Sequence, residues 1–242
     1  MGGIIFHEKK ATFTDGYKAW GDVTLPTNSV MLGSGTPTFV SYAMFGCHNS
    51  AGNFDAGIQV YGGGKYKLIL NGGTVLKPQT NGSRWYETAA FTISNNTSTL
   101  TVELIYSSST EGKVTISGFG KSLSADFDEG MWQNKFQNGV KFWKEMTIAS
   151  SLTTFTDLWS SSNITNTQTV YMGDLTFKEV KLLRHSGGTT QYSLDSNSTT
   201  TTGTPKLDPY TSGSMPTWQQ MRYGGTPTSG STNLFSLDCR PL

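Results

Sequence analysis

Leu100-Thr101-Val102-Glu103-Leu104-Ile105-Tyr106 alternates apolar and polar side chains almost without a break. Strand side chains point to opposite faces in turn, so Leu100, Val102, Leu104 and Tyr106 share one side while Thr101 and Glu103 share the other. Residues 113–119 repeat the pattern with Val114 and Ile116 inward, and a polar loop joins the two as a hairpin. The same period organises residues 38–73. Aromatic and apolar residues alternate with small ones over 39–45, a second run covers 56–61, and Tyr66, Leu68 and Leu70 mark one face of a third over 65–70. Gly62-Gly63-Gly64 and Asn71-Gly72-Gly73 are turn signals, because glycine adopts positive φ without a Cβ clash. These features predict an antiparallel meander. Shorter β-prone pieces lie at 4–6, 12–13 and 23–25, and further strands at 84–93, 140–148 and 170–183. In 140–148 the inward set reads Val140, Phe142, Lys144, Met146 and Ile148, with the lysine as the misfit. Residues 126–139 read as irregular, with Trp132 and Phe136 at helix-like spacing, and 152–159 as a helical turn or an edge strand. No long amphipathic helix appears. Repeated short strands with turns between them predict an all-β sandwich or barrel.

Composition refines this picture. Charged residues make up only 14% of the 242 residues, against roughly 25% in ordinary soluble domains. Ser, Thr, Gly and Asn take their place, yet the 12% aromatics spread along the chain are too many for a disordered polymer. A net charge of +1 gives no electrostatic reason to expect a nucleic-acid partner or an anionic membrane surface. No apolar run approaches the ~20 residues of a membrane span. The start, MGGIIFHEKK, lacks the basic end and apolar middle of a signal peptide. It fits a cytoplasmic start or a mature form whose signal has been removed; the hydroxyl-rich, charge-poor composition favours the second, a secreted protein.

Residues 1–184 form the sandwich domain in this reading. The Ser-, Thr- and Gly-rich stretch 185–203 opens a loop-rich C-terminal extension, 185–242. Tyr210, Met215, Trp218, Met221, Tyr223, Leu234, Phe235 and Leu237 are too much apolar material for a free tail, so the extension is expected to pack back on the sandwich. Cys47 and Cys239 could form one disulfide tying the C-terminus to the meander, or stay separate buried thiols.

Residues 54–71 (FDAGIQVYGGGKYKLILN) and 171–183 (YMGDLTFKEVKLL) resemble concanavalin A-like jelly-roll domains. Such domains finish on a long strand of the form D-x-x-F-x-x-V-x-L, approached here by Asp174, Phe177, Val180 and Leu182. The chain also resembles small secreted Gram-positive bacterial proteins of uncharacterised function. The resemblance covers about residues 1–184. It implies two antiparallel sheets, in a superfamily of lectins, carbohydrate-binding modules, glycoside hydrolases and polysaccharide lyases. Fold does not fix function.

Glycoside hydrolysis needs two carboxyl groups, one protonated and one charged. The dense acidic stretch is Asp126-Phe127-Asp128-Glu129, followed by Gly130 as in a loop. It departs from the Glu-x-Asp pattern of jelly-roll hydrolases and reads as a solvated turn or a calcium site, calcium being the one cofactor in view. A lyase site could be assembled from Arg84, Gln59, Tyr66 and His48, although the Gln-x-His strand of such enzymes is absent. With three histidines, His7, His48 and His185, no His-rich metal site is visible. His48 beside Cys47 would point to the opposite strand face, which speaks against a Cys–His nucleophile. Sugar binding asks for less: rings that stack on pyranoses and side chains that hydrogen-bond hydroxyls. Trp20, Trp132 and Trp218 fall outside clean alternation and are the candidates for exposed rings, with Arg84 and Gln59 as polar partners; the alternative for each single tryptophan, and the one favoured, is a place in the core or in a small cluster under a loop.

The sequence therefore predicts a secreted, lectin-like sandwich that binds a polysaccharide or glycan without catalysis. The alternatives are a glycoside hydrolase or polysaccharide lyase on the same fold, or a structural, adhesive surface protein.

Overall fold

The computed structural model describes residues 2–27, 39–61, 63–150, 171–194, 198–200, 206–208, 220–224 and 233–238. In chain order the strands are β1 (Gly2–Ala11), β2 (Gly16–Thr24), β3 (Phe39–Asn49), β4 (Gly52–Tyr61), β5 (Lys65–Asn71) and β6 (Trp85–Glu87). They continue as β7 (Thr97–Tyr106), β8 (Gly112–Gly118), β9 (Lys121–Asp126), β10 (Lys141–Ser150) and β11 (Tyr171–Arg184). Five short strands follow: β12 (Gln191–Ser193), β13 (Ser198–Thr200), β14 (Lys206–Asp208), β15 (Gln220–Gly224) and β16 (Asn233–Asp238). A short helix α1 (Glu129–Asn134) and a 3-10 turn (Phe136–Asn138) precede β10.

Two antiparallel sheets result. The first runs β13-β1-β10-β3-β4-β5-β6, with β14 also on β1; the second runs β15-β16-β11-β2-β7-β8-β9, with β12 on β11. Alternation along the strands decides what lies between them. Phe45, Phe54, Ile58, Leu68 and Leu70 of the first sheet share one core with Leu100, Val102, Ile116, Phe177 and Leu182 of the second. Phe45 packs edge-on against Phe177, ring centroids 4.9 Å apart, and so joins β3 to β11 across the layer. The predicted β-sandwich is the fold observed.

The meander 38–73 closes as its glycines require. Gly63 and Gly64 take φ of 71° and 69°, and the turn sets β4 against β5 from Tyr61↔Lys65 to Asp55↔Asn71. Elsewhere the structure departs from the pattern. The strand expected over 84–93 is confined to β6, because Thr88 Oγ1 accepts the Leu68 N–H at 3.1 Å in place of a ladder carbonyl. Phe91 regains Tyr66 only as an isolated bridge. Residues 126–139, read as irregular, hold the end of β9, α1 and the 3-10 turn. Lys144 keeps the register expected of it: it lies opposite Phe45 and is buried. The expectations for 152–159 and for Trp218 lie outside the described residues.

Of the two alternatives for the cysteines, the structure shows Cys47 as a free thiol, fully buried, with its Sγ 3.7 Å from the Phe45 carbonyl oxygen. Burial, and then the nearby Asp55 charge, push its pKa well above the ordinary thiol value. Cys239 lies outside the described residues. Among the described residues no helix is long and apolar enough to cross a membrane.

Candidate active site

Since Phe45, Phe54 and Leu68 point into the core, the alternate positions of β3, β4, β5 and β10 face outward from the first sheet. The register lines them up. Trp143, Gly46, Asp55, Asn71 and Trp85 form one row across five strands, and Glu145, Met44, Gly57, Ile69 and Glu87 form the next. Two carboxyl groups from strands remote in sequence, Asp55 on β4 and Glu145 on β10, thus approach from adjacent rows on either side of β3, near enough for the charge of Glu145 to act on Asp55.

Gly46 makes this approach possible. A Cβ there would lie 1.9 Å from Trp143 Nε1, so the indole lies directly over the glycine. From that position Trp143 Nε1–H donates to Glu145 Oε2 at 3.0 Å. His48 flanks the ring at 5.9 Å between centroids, and Lys10 Nζ sits 5.1 Å from its centre. Glu145 is 6% exposed.

Asp55 keeps one edge in contact with solvent, but most of the carboxyl is enclosed by protein. Burial, and then the charge of Glu145, push its pKa up to about 7, against the opposing hydrogen bond from Asn71 Nδ2 to Asp55 Oδ2 at 3.3 Å. A carboxyl group that keeps its proton towards neutral pH is suited to act as a general acid.

The pair also ties stability to pH. The folded pKa of Asp55 lies above that of an unfolded carboxylate, about 3.9, so between those values the folded chain holds a proton that the unfolded chain has released. Its contribution to stability is fully present below about pH 4 and is lost as pH rises through about 7. Thermal melts from pH 4 to 8 should show this fall, up to about 1.4 kcal/mol per pH unit, and Asp55→Asn should flatten it. An unchanged slope in the variant would remove Asp55 as its source.

A second polar group lies alongside. Gln59 Nε2 donates to Tyr42 Oη at 3.1 Å, while the Gln59 carbonyl oxygen is buried without a partner. Burial pushes the Tyr42 phenol up to about 12. Tyr42 meets Trp85 edge-on, and Glu87 accepts from Trp85 Nε1 at 3.0 Å and from Lys67 Nζ at 2.6 Å.

Of the sequence candidates, Gln59 and His48 fall on this face, Gln59 one row beyond Glu145 and His48 one row beyond Asp55 on the other side. Arg84 lies apart from the pair: its Nη1 donates to the carbonyls of Thr74 and Leu76, and Nη2 lies 3.9 Å from Asp128. Trp132, a candidate for an exposed ring, is 1% exposed under the β7–β8 turn. Trp20 is half-buried on β2 of the other sheet, opposite Thr101 and Lys181. Tyr66 is a core residue whose hydroxyl donates to the Pro26 carbonyl at 2.7 Å, so the Arg84–Tyr66–His48 lyase set does not assemble. Asp126, Asp128 and Glu129 line a cavity of about 750 Å³ together with Lys77 and Glu111, on residues not shared with the carboxyl face. They do not converge on a cation: Asp128 turns to Arg84 and Glu129 accepts from Gln133. Among the described residues no three His, Cys, Asp or Glu side chains gather as a metal site.

Asp55 and Glu145 themselves escape a search for neighbouring acidic residues. The available signal was an acidic residue on the polar face of each of two strands, Asp55 with Gln59 and Glu145 beside the misfit Lys144.

No family model matches the chain, and no curated protein matches its sequence. Solved structures align with it to different degrees. A scytalido-glutamic peptidase bound to a transition state analog inhibitor aligns with TM-score 0.50 and 14% identity, over 96% of this chain and 97% of that one. SCP-B, a member of the eqolisin family of peptidases in complex with the tripeptide Ala-Ile-His, gives 0.49 and 14%, over 98% and 96%. The alginate lyase vAL-1 from Chlorella virus gives 0.34 and 9%, over 61% and 81%. The expectation of a carbohydrate-binding sandwich without catalysis is corrected: over 96% of its length the chain has the fold of a solved peptidase structure, not of a lectin, and its open sheet face carries a carboxyl pair.

Proposed function

We propose that this protein is a hydrolase active at acid to neutral pH that cleaves peptide bonds with Asp55 and Glu145. The observation that carries the reading is the pair itself: two enclosed carboxyl groups on one sheet face, with the pKa of Asp55 raised to about 7 by burial and by Glu145. Whole-length likeness to a peptidase fold supports the amide as the bond attacked.

In this mechanism the Glu145 carboxylate, oriented by Trp143 Nε1–H, takes a proton from water as the water oxygen bonds to the substrate carbonyl carbon. Asp55, still protonated, donates its proton to the departing nitrogen as the C–N bond breaks. Glu145 then returns its proton through solvent to Asp55. The balance is amide plus water to carboxylic acid plus amine, with both groups restored.

The test is hydrolysis of an unfolded protein substrate and of a mixed peptide library between pH 3 and 8. The rate should fall about tenfold per pH unit above 7 as Asp55 loses its proton. A rate that climbs through pH 7, or no amide cleavage at any pH, would overturn the reading. The part-exposed ring of Trp85, in the same row as Asp55, favours glycoside hydrolysis as the second reading. New reducing ends from polysaccharides, lost in Asp55→Asn, would establish it instead.

A further inference from the structure

A cavity of about 420 Å³ opens at the end of the carboxyl face, lined by Thr14, His48, Asn49, Ser50, Lys135, Asn138, Gly139 and Lys141. It neighbours the site along the strands. Lys141 and His48 are opposite each other in the row next to Trp143 and Gly46, so the cavity begins one row from Asp55.

Its chemistry is one-sided. Two lysines and a histidine line it and no carboxylate does. Neither Lys135 nor Lys141 has an ion-pair partner among the described residues. Asp15, whose backbone touches Gly139, turns its own carboxylate to Arg184 and Ser186. Asn49 adds a second, independent sign. Its Oδ1 accepts the Ala51 N–H at 2.9 Å, while its Nδ2 is buried with no acceptor. A buried donor without an acceptor is costly to leave so; Asn49 lines the cavity, and a rotation of its side chain towards an arriving anion would give Nδ2 its acceptor.

We propose that this cavity is a carboxylate subsite, in which Lys135, Lys141 and Asn49 hold an anionic group of the substrate next to the bond being cleaved. The inference rests on the hydrolase reading of Asp55 and Glu145. Two strand residues span about 6.8 Å and an extended chain advances about 3.3–3.6 Å per residue. The carboxylate therefore lies about two residues from the scissile bond, either as an Asp or Glu side chain or as the terminus of the substrate chain.

The test measures binding without turnover, in Glu145→Gln at pH 5, by calorimetry with short alanine peptides. One pair differs by an internal Glu or Gln with both ends blocked; a second carries a free or an amidated C-terminus. The carboxylate peptide should bind about tenfold tighter than its neutral partner. The preference should shrink with added salt and vanish in Lys135→Gln/Lys141→Gln made in the same background. Preference within the first pair identifies a side-chain carboxylate, and within the second a chain terminus. Equal affinity within both pairs, or a preference that survives loss of both lysines, overturns the subsite. Because no turnover is needed, absent hydrolysis by the unsubstituted protein would count against the carboxyl-pair mechanism and leave this result standing. Normal hydrolysis with equal binding would count against the subsite alone.

Discussion

Replacing Glu145 with glutamine should lower kcat for peptide hydrolysis by about a thousandfold at pH 5, within the 10²–10⁴ that a positioned general base contributes. The amide cannot take the proton of the attacking water, and it also withdraws the charge that holds Asp55 high. The residual rate should therefore lose its upper pH limb at a lower pH than the unsubstituted protein. Asp55→Asn attacks the other half: it leaves Glu145 able to act as base but removes the proton given to the leaving nitrogen. Its loss should be of similar size. The double variant should be little worse than the poorer single one, because two groups acting as a unit are not additive. Steady-state kinetics on the three variants, with melting curves to show they are folded, decide the matter. A fall of less than tenfold in Glu145→Gln would mean that the pair does not carry the reaction.

Part of this site was legible in the sequence, and the division has a physical cause. Period-two alternation reports which face of a strand is apolar. It therefore located β3, β4, β5, β7 and β8, and with them the sandwich. The turn at Gly63-Gly64 sets the β4–β5 register, because a hairpin turn sets pairing locally. What alternation does not report is which strand lies beside which. β10 pairs with β3 and β1 although it is remote from both in sequence, and this pairing alone brings Glu145 to Asp55. The acidic residues that stood out were the contiguous ones, Asp126, Asp128 and Glu129, and contiguity along a chain is no guide to convergence across a sheet. Glycine carried a similar hidden message. Gly46 read as one small residue in an apolar strand, whereas it is the gap through which Trp143 reaches Glu145.

Trp132 shows the opposite failure, and its replacement by alanine should cost about 3–5 kcal/mol of stability, the range for deleting a large buried aromatic. Broken alternation suggested an exposed ring. The residue sits instead in α1, where period-two alternation does not apply, and its side chain is 1% exposed. It leans directly over Gly112, where a Cβ would lie 2.3 Å from its Cδ2. It packs against Phe127 at 5.2 Å between ring centroids and donates from Nε1 to the Ser108 carbonyl at 3.0 Å. The ring therefore plugs the end of the core beneath the β7–β8 turn. At about 2–4 °C per kcal/mol for a chain of this size, the melting temperature should fall by roughly 10 °C. Trp132→Phe, which keeps an aromatic ring but not the N–H, should lose only about 1 kcal/mol beyond the smaller packing change. Molecules of Trp132→Ala that remain folded should keep the kcat of the parent, since the ring touches neither Asp55 nor Glu145. A ring exposed for ligand stacking would give the reverse, an unchanged melting curve with binding or turnover lost, and that result would move the search for the site from the open face of the first sheet to the turn that Trp132 underlies.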